Sequence, residues 1–84
     1  MVPILGKPVI MDRHFVRDSA LAQQIRDGLF PPPVRVGAKK SAWPEHESDA
    51  ILRARIAGKS DEEIRALVRR LVAERAKLAE RAAA

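Results

Sequence analysis

The stretch GLFPPPVRVGAKKSAWPEHE, residues 28–47, constrains the fold more than any other part of this 84-residue chain. Pro31, Pro32 and Pro33 exclude helix there, because each ring fixes φ and removes a backbone N–H, and they favour an extended path. Val34-Arg35-Val36 then alternates apolar and charged residues and reads as a short strand, with the valines inward and Arg35 outward. Gly37-Ala38-Lys39-Lys40 reads as a turn and Ser41-Ala42-Trp43 as the returning strand. The whole is a small β-hairpin, braced by prolines, with two lysines at its tip. Trp43, the only tryptophan, is expected to pack beneath it.

Helical patterns flank the hairpin. Residues 1–7 are expected to form a flexible N-terminal arm. Pro8 suits the first position of a short helix whose common face would hold Ile10, Met11, His14 and Phe15. In the second helix, Asp18 or Ser19 can cap the start, Leu21, Ala22 and Ile25 form the inner stripe, and Gly28 ends it. Pro44 is expected to start a third helix, with Glu45 and Glu47 near its positive end. Its apolar positions are Ala50, Ile51, Ala54 and Ile56, flanked by Leu52 and Ala57, and Gly58 ends it. Ser60 and Glu63 form a capping box before a long amphipathic helix marked by Ile64, Leu67, Val68, Leu71, Val72 and Leu78. Asp61 with Arg65 and Arg70 with Glu74 stand at helical spacing for charge pairs. The fold expected is mostly α with a small β-hairpin. It is a winged helix-turn-helix over residues 8–58, followed by a C-terminal amphipathic helix over residues 59–84.

Charge narrows the function. Lys plus Arg outnumber Asp plus Glu by 16 to 11, and the excess is uneven. Residues 1–60 carry ten basic and six acidic residues, residues 61–84 six and five. No acidic residue lies between Asp27 and Glu45. Such a surface suits a polyanion, with double-stranded DNA the first expectation. The chain has no cysteine, so disulfide and thiolate chemistry are excluded. His14 and His46 are too isolated to suggest a metal site. No nucleophile stands with a base, and no Gly-rich phosphate cradle is present, so the chain does not read as an enzyme. No cofactor or small-molecule substrate is expected. No apolar run approaches the roughly 20 residues of a bilayer span, and the mixed, nearly balanced charges of the last helix speak against a membrane partner. The expected location is cytoplasmic, associated with the nucleoid.

Residues 8–64 also carry a resemblance. A helix ending Arg26-Asp27-Gly28 is followed by the Phe30-Pro31 step and the strand Val34-Arg35-Val36. The turn from Gly37 to Lys40 and Trp43 opening an acidic helix with Glu45 and Glu47 complete the pattern. As a set these residues resemble the AlpA family of phage and prophage regulators, short winged helix-turn-helix proteins related to MerR-type and excisionase domains. The resemblance implies DNA binding that regulates an integrase, or excisionase activity that binds and bends attachment-site DNA. It also implies self-association, as a dimer or an array along DNA. Members of the family carry a Thr-Gly-Leu-Ser turn before the second helix. Here that turn is His14-Phe15-Val16-Arg17, without the glycine, and Asp18 follows where a basic residue is usual.

The candidate DNA-binding residues are Arg17, Ser19, Ala20, Gln23, Gln24 and Arg26 on the second helix and Arg35, Lys39 and Lys40 on the hairpin. Gln23 and Gln24 have the paired donor and acceptor that read adenine, or else form a solvated polar face. Lys39 and Lys40 suit phosphate contact, or else keep a turn soluble. Ile64, Leu71 and Leu78 recur every seven residues, so the last helix either folds back on the domain or joins a second chain. The alternative function is a protein-interaction module that docks on an integrase or regulator through that helix.

Overall fold

The computed structural model describes residues 3–83, with side chains described as far as residue 78. In chain order the elements are β1 (Ile4–Gly6), α1 (Lys7–Arg13), α2 (Asp18–Arg26), β2 (Val34–Arg35), β3 (Ser41–Pro44), α3 (Glu45–Ile56) and α4 (Asp61–Ala83). The chain is therefore mostly helical, with one small antiparallel sheet in the order β1-β3-β2.

The hairpin forms where the alternation places it. Val34 pairs with Ala42 and Arg35 with Ser41, and the Val36 N–H donates to the Lys40 carbonyl at 3.2 Å to close the tip. The other edge of β3 is taken by β1, with Leu5 opposite Trp43 and Gly6 opposite Ala42. Residues 4–6, expected in a flexible arm, are thus an edge strand. The short run Ile4-Leu5-Gly6 satisfies the free edge of β3, which would otherwise leave unpaired N–H and C=O groups. β3 runs straight into α3, so Pro44 ends the strand and serves as the N-cap, one residue before the helix it was expected to open.

Three helices end in one backbone motif. After α2, Gly28 (φ 76) donates to the Ile25 carbonyl and Leu29 to the Gln24 carbonyl. After α3, Gly58 (φ 76) donates to Arg55 and Lys59 to Ala54. Both are Schellman ends, with glycine in the left-handed position. After α1 the same two bonds run from Phe15 to Asp12 and from Val16 to Met11, and Phe15 takes φ 56. A residue with a Cβ adopts that conformation at a cost of roughly 1–2 kcal/mol. The turn missing its glycine is therefore built in the left-handed geometry all the same, and Phe15 turns outward, 98% exposed, instead of joining the face of Ile10.

The core lies between the sheet and the inner faces of all four helices. Ile10, Leu21, Phe30, Trp43, Ile51 and Ile64 are essentially sealed, and Val68 and Leu71 add to them. Fully burying a side chain of this kind contributes about 1.5–3 kcal/mol, so these few residues carry most of the stability. The Phe30 ring meets Trp43 edge-on, with centroids 5.9 Å apart. The Trp43 Nε1–H donates to the Pro31 carbonyl at 2.8 Å, tying the start of the proline run to the floor of the hairpin.

α4 folds back. Ile64, Val68 and Leu71 enter the core, and Leu67, Val72 and Leu78 are half-buried. One helical turn beyond Leu71, Arg75 reaches the carboxylate of the buried Glu47 with two bonds, at 2.8 and 2.6 Å. Its Nη2 also donates to the Pro32 carbonyl at 2.8 Å. Two apolar expectations give way. Val36 is half-exposed, because β2 ends at Arg35, and Ile56 is 79% exposed, because the core stripe of α3 is Glu47, Ile51 and Ala54.

Candidate nucleic-acid interface

The candidate residues sit on two elements set on this core: the outer face of α2, where Arg17 and Arg26 stand with Asp18 and Asp27, and the cationic hairpin tip. α2 is amphipathic, so burying Leu21 turns Ser19, Ala20 and Gln23 to solvent, while Gln24 is half-buried. No side chain caps its start. Arg17 is the N-cap residue, with extended backbone, and neither Asp18 nor Ser19 fills the capping role expected of them. Asp18 instead pairs with Lys7. That pairing neutralises the only carboxylate in the first turn of α2, leaving its free N–H groups and Arg17 as a positive end.

Gln23 is not idle. Its Nε2 donates to Asp27 at 3.0 Å, and its Oε1 accepts from Arg26 Nη2 at 2.8 Å. The three side chains form one exposed chain along α2, so a base edge would have to replace these bonds. Arg26 is exposed and is oriented by Gln23.

On the hairpin, Arg35 and every residue from Gly37 to Lys40 are exposed. Beside the tip a shallow groove of 540 Å³ opens between the hairpin and the β1–α1 junction. Ile4, Val36 and Ala42 contribute apolar surface to it, and Lys7, Lys39 and Lys40 contribute the charge. Lys7 escaped the sequence reading, because only the pairing of β1 with β3 brings it next to the tip.

Ion pairing sorts the cations. Lys7, Arg13, Lys59, Arg65, Arg70 and Arg75 are each matched by a carboxylate. Arg65 meets Glu62 at 2.7 Å rather than Asp61, and its Nε also donates to the Asp27 carbonyl at the end of α2. Among the described residues, Arg17, Arg26, Arg35, Lys39 and Lys40 enter no ion pair; neither do Arg53, Arg55, Arg69 and Lys77. Arg53 and Arg55 lie in the last turn of α3, where they favour the negative helix end.

His14 closes α1 and faces inward. It shares a 2.8 Å hydrogen bond with Ser48 and meets the Phe30 ring edge-on at 5.0 Å. Burial, seconded by the charges of Arg55 and Arg13 and opposed by Asp49, holds its pKa below the usual histidine range. Among the described residues no three His, Cys, Asp or Glu side chains converge on a metal-sized site, and no helix is long and apolar enough to cross a membrane.

No family model and no solved structure matches this chain. It is 33% identical over 70 residues to a protein of Enterobacteria phage P4 described as "Uncharacterized protein ORF88", the match covering 70% of this chain and 80% of that protein.

Proposed function

We propose that this chain, which belongs to the family of the phage P4 protein ORF88, is a sequence-specific DNA-binding protein of a mobile genetic element. In this reading α1 and α2 are a helix-turn-helix and β2–β3 is its wing, in the manner of the AlpA family. α2 enters the major groove while Lys39, Lys40 and Arg35 lie on the sugar-phosphate backbone. The protein then regulates integrase or excision genes, or acts as an excisionase that bends attachment-site DNA. A phage relative supports the setting, and the resemblance over residues 8–64 supports the role.

The observation that carries the reading is the sorting of charge. Arg17 at the start of α2 and Arg35, Lys39 and Lys40 on the hairpin have no carboxylate partner among the described residues, while in α4 Arg65 and Arg70 pair within the helix and Arg75 pairs with Glu47 of α3. Unmatched cations on two adjoining elements are what counterion release requires. The experiment is duplex binding measured by fluorescence anisotropy at two or more salt concentrations. Lys39→Ala with Lys40→Ala should weaken binding to all sequences and flatten the log–log salt slope by about one to two units. An unchanged slope removes the hairpin from the interface.

The alternative, a module that docks through its last helix, meets a difficulty. The residues that would dock, Ile64, Val68 and Leu71, are already in the core.

A further inference from the structure

Phe15 is the one non-glycine residue with a left-handed backbone among the described residues. α2 and α3 give the equivalent position to Gly28 and Gly58, so the fold itself asks for glycine there. The chain holds instead an aromatic ring that is 98% exposed and so gains little from its own domain. Strain and exposure coincide at one side chain, two residues before Arg17 at the start of α2. We propose that Phe15 is a DNA-contact residue, presenting an apolar ring to the duplex at the edge of the groove that α2 enters. This inference rests on the DNA-binding reading above and names a contact that the charged residues do not supply.

The mounting suits a contact. The two bonds from Phe15 N–H and Val16 N–H, at 3.3 and 3.0 Å, lock the turn. His14 and Val16 on either side are half-buried, so the backbone is anchored and only two side-chain torsions remain to be ordered. Of the two exposed charges that line the cleft beside the ring, Arg17 lacks a carboxylate and complements a polyanion on the α2 side, and Asp12 stands on the α1 side. A protein partner fits poorly, since such interfaces bury about 800 Å² per side around a contiguous apolar centre. Around this ring the shallow cleft of 270 Å³ offers as apolar neighbours only the half-buried Met11 and Val16. On duplex DNA the apolar groups within reach of a major-groove reader are thymine methyls and the deoxyribose faces. A ring against either adds affinity without releasing counterions.

Phe15→Gly separates the contact from the fold. Relief of the left-handed strain should raise the melting temperature by about 5 °C. Loss of the ring should weaken binding to a short mixed-sequence duplex roughly tenfold, with the salt slope unchanged. A duplex carrying deoxyuridine for thymine tells the two acceptors apart: a vanished difference between wild type and variant assigns the methyl, a persistent one the sugar. With 4-fluorophenylalanine labelling, the Phe15 resonance should move on adding duplex, while that of the buried Phe30 stays as an internal control. If wild type binds and the lysine substitutions flatten the slope, but Phe15→Gly binds as tightly as wild type, this inference falls and the DNA reading stands. A Phe15 resonance that moves with protein concentration alone reassigns the ring to a second copy. If wild type binds no duplex at all, both readings fall together.

Discussion

His14 and Phe15 are adjacent and face opposite ways. The difference is one of backbone: His14 is the last half-helical residue of α1, and Phe15 is the left-handed residue that reverses the chain. Helical spacing placed both on the inner face, which holds only while the helix lasts. His14 therefore reports on the fold. Its folded pKa is depressed, so in acid the unfolded chain takes up the proton first. The stability it contributes is present above the unfolded pKa and is lost as pH falls below about 6.5 toward the folded value. Urea midpoints should drop between about pH 7.5 and about 5.5, and His14→Gln should shrink that drop. An identical drop in the variant assigns the titration elsewhere. Glu63, whose pKa is lowered by hydrogen bonds from Ser60 with help from Lys59, acts only in the more acidic carboxylate window.

At the scale of elements, interactions that close within a few residues follow the sequence. Gly28 and Gly58 end their helices as expected. The Ser60–Glu63 capping box forms with both reciprocal bonds, Ser60 N–H to Glu63 at 3.1 Å and Glu63 N–H to Ser60 at 3.2 Å. The join between elements is another matter. Glu47 and Arg75 are 28 residues apart, and each reads alone as a surface charge. A signal was nevertheless present: Glu47 falls on the stripe of Ile51 and Ala54, and Arg75 on that of Val68 and Leu71, so each is a charge on an apolar face. With Glu47 buried, Arg75→Ala leaves an uncompensated charge and should cost about 3–5 kcal/mol. Replacing both, Glu47→Leu with Arg75→Met, should recover most of the loss in urea denaturation. Full additivity of the two changes would mean that the pair is not coupled.

At the scale of the molecule, α4 is a strut rather than an appendage. It holds the Asp27 carbonyl at the end of α2 through Arg65, the Pro32 carbonyl through Arg75, and α3 through Glu47. These bonds cross the boundary at residues 58–59. Deleting residues 61–84 removes Ile64, Val68 and Leu71 from the core, and a chain this small holds only about 5 kcal/mol in reserve. The truncated chain should lose its cooperative thermal transition and its helical circular dichroism. Retained cooperative melting would return α4 to the role of an arm. The strut also fixes the angle between α2 and the hairpin, the two elements that carry the unmatched cations.

By itself the sequence determined the punctuation and the charge: where helices stop, where the proline-braced hairpin turns, that its tip is cationic, and that no cysteine chemistry is available. These depend on φ limits, caps and composition, which act within a few residues. Only the tertiary structure decided that Ile4–Gly6 completes the sheet and brings Lys7 beside the hairpin tip. It alone turned Asp18 to Lys7 instead of to a cap, sank Glu47 against Arg75, and left Phe15 and Ile56 in solvent. Each of these depends on which elements meet and at what rotation, and a few tens of degrees about a helix axis exchanges a core position for an exposed one.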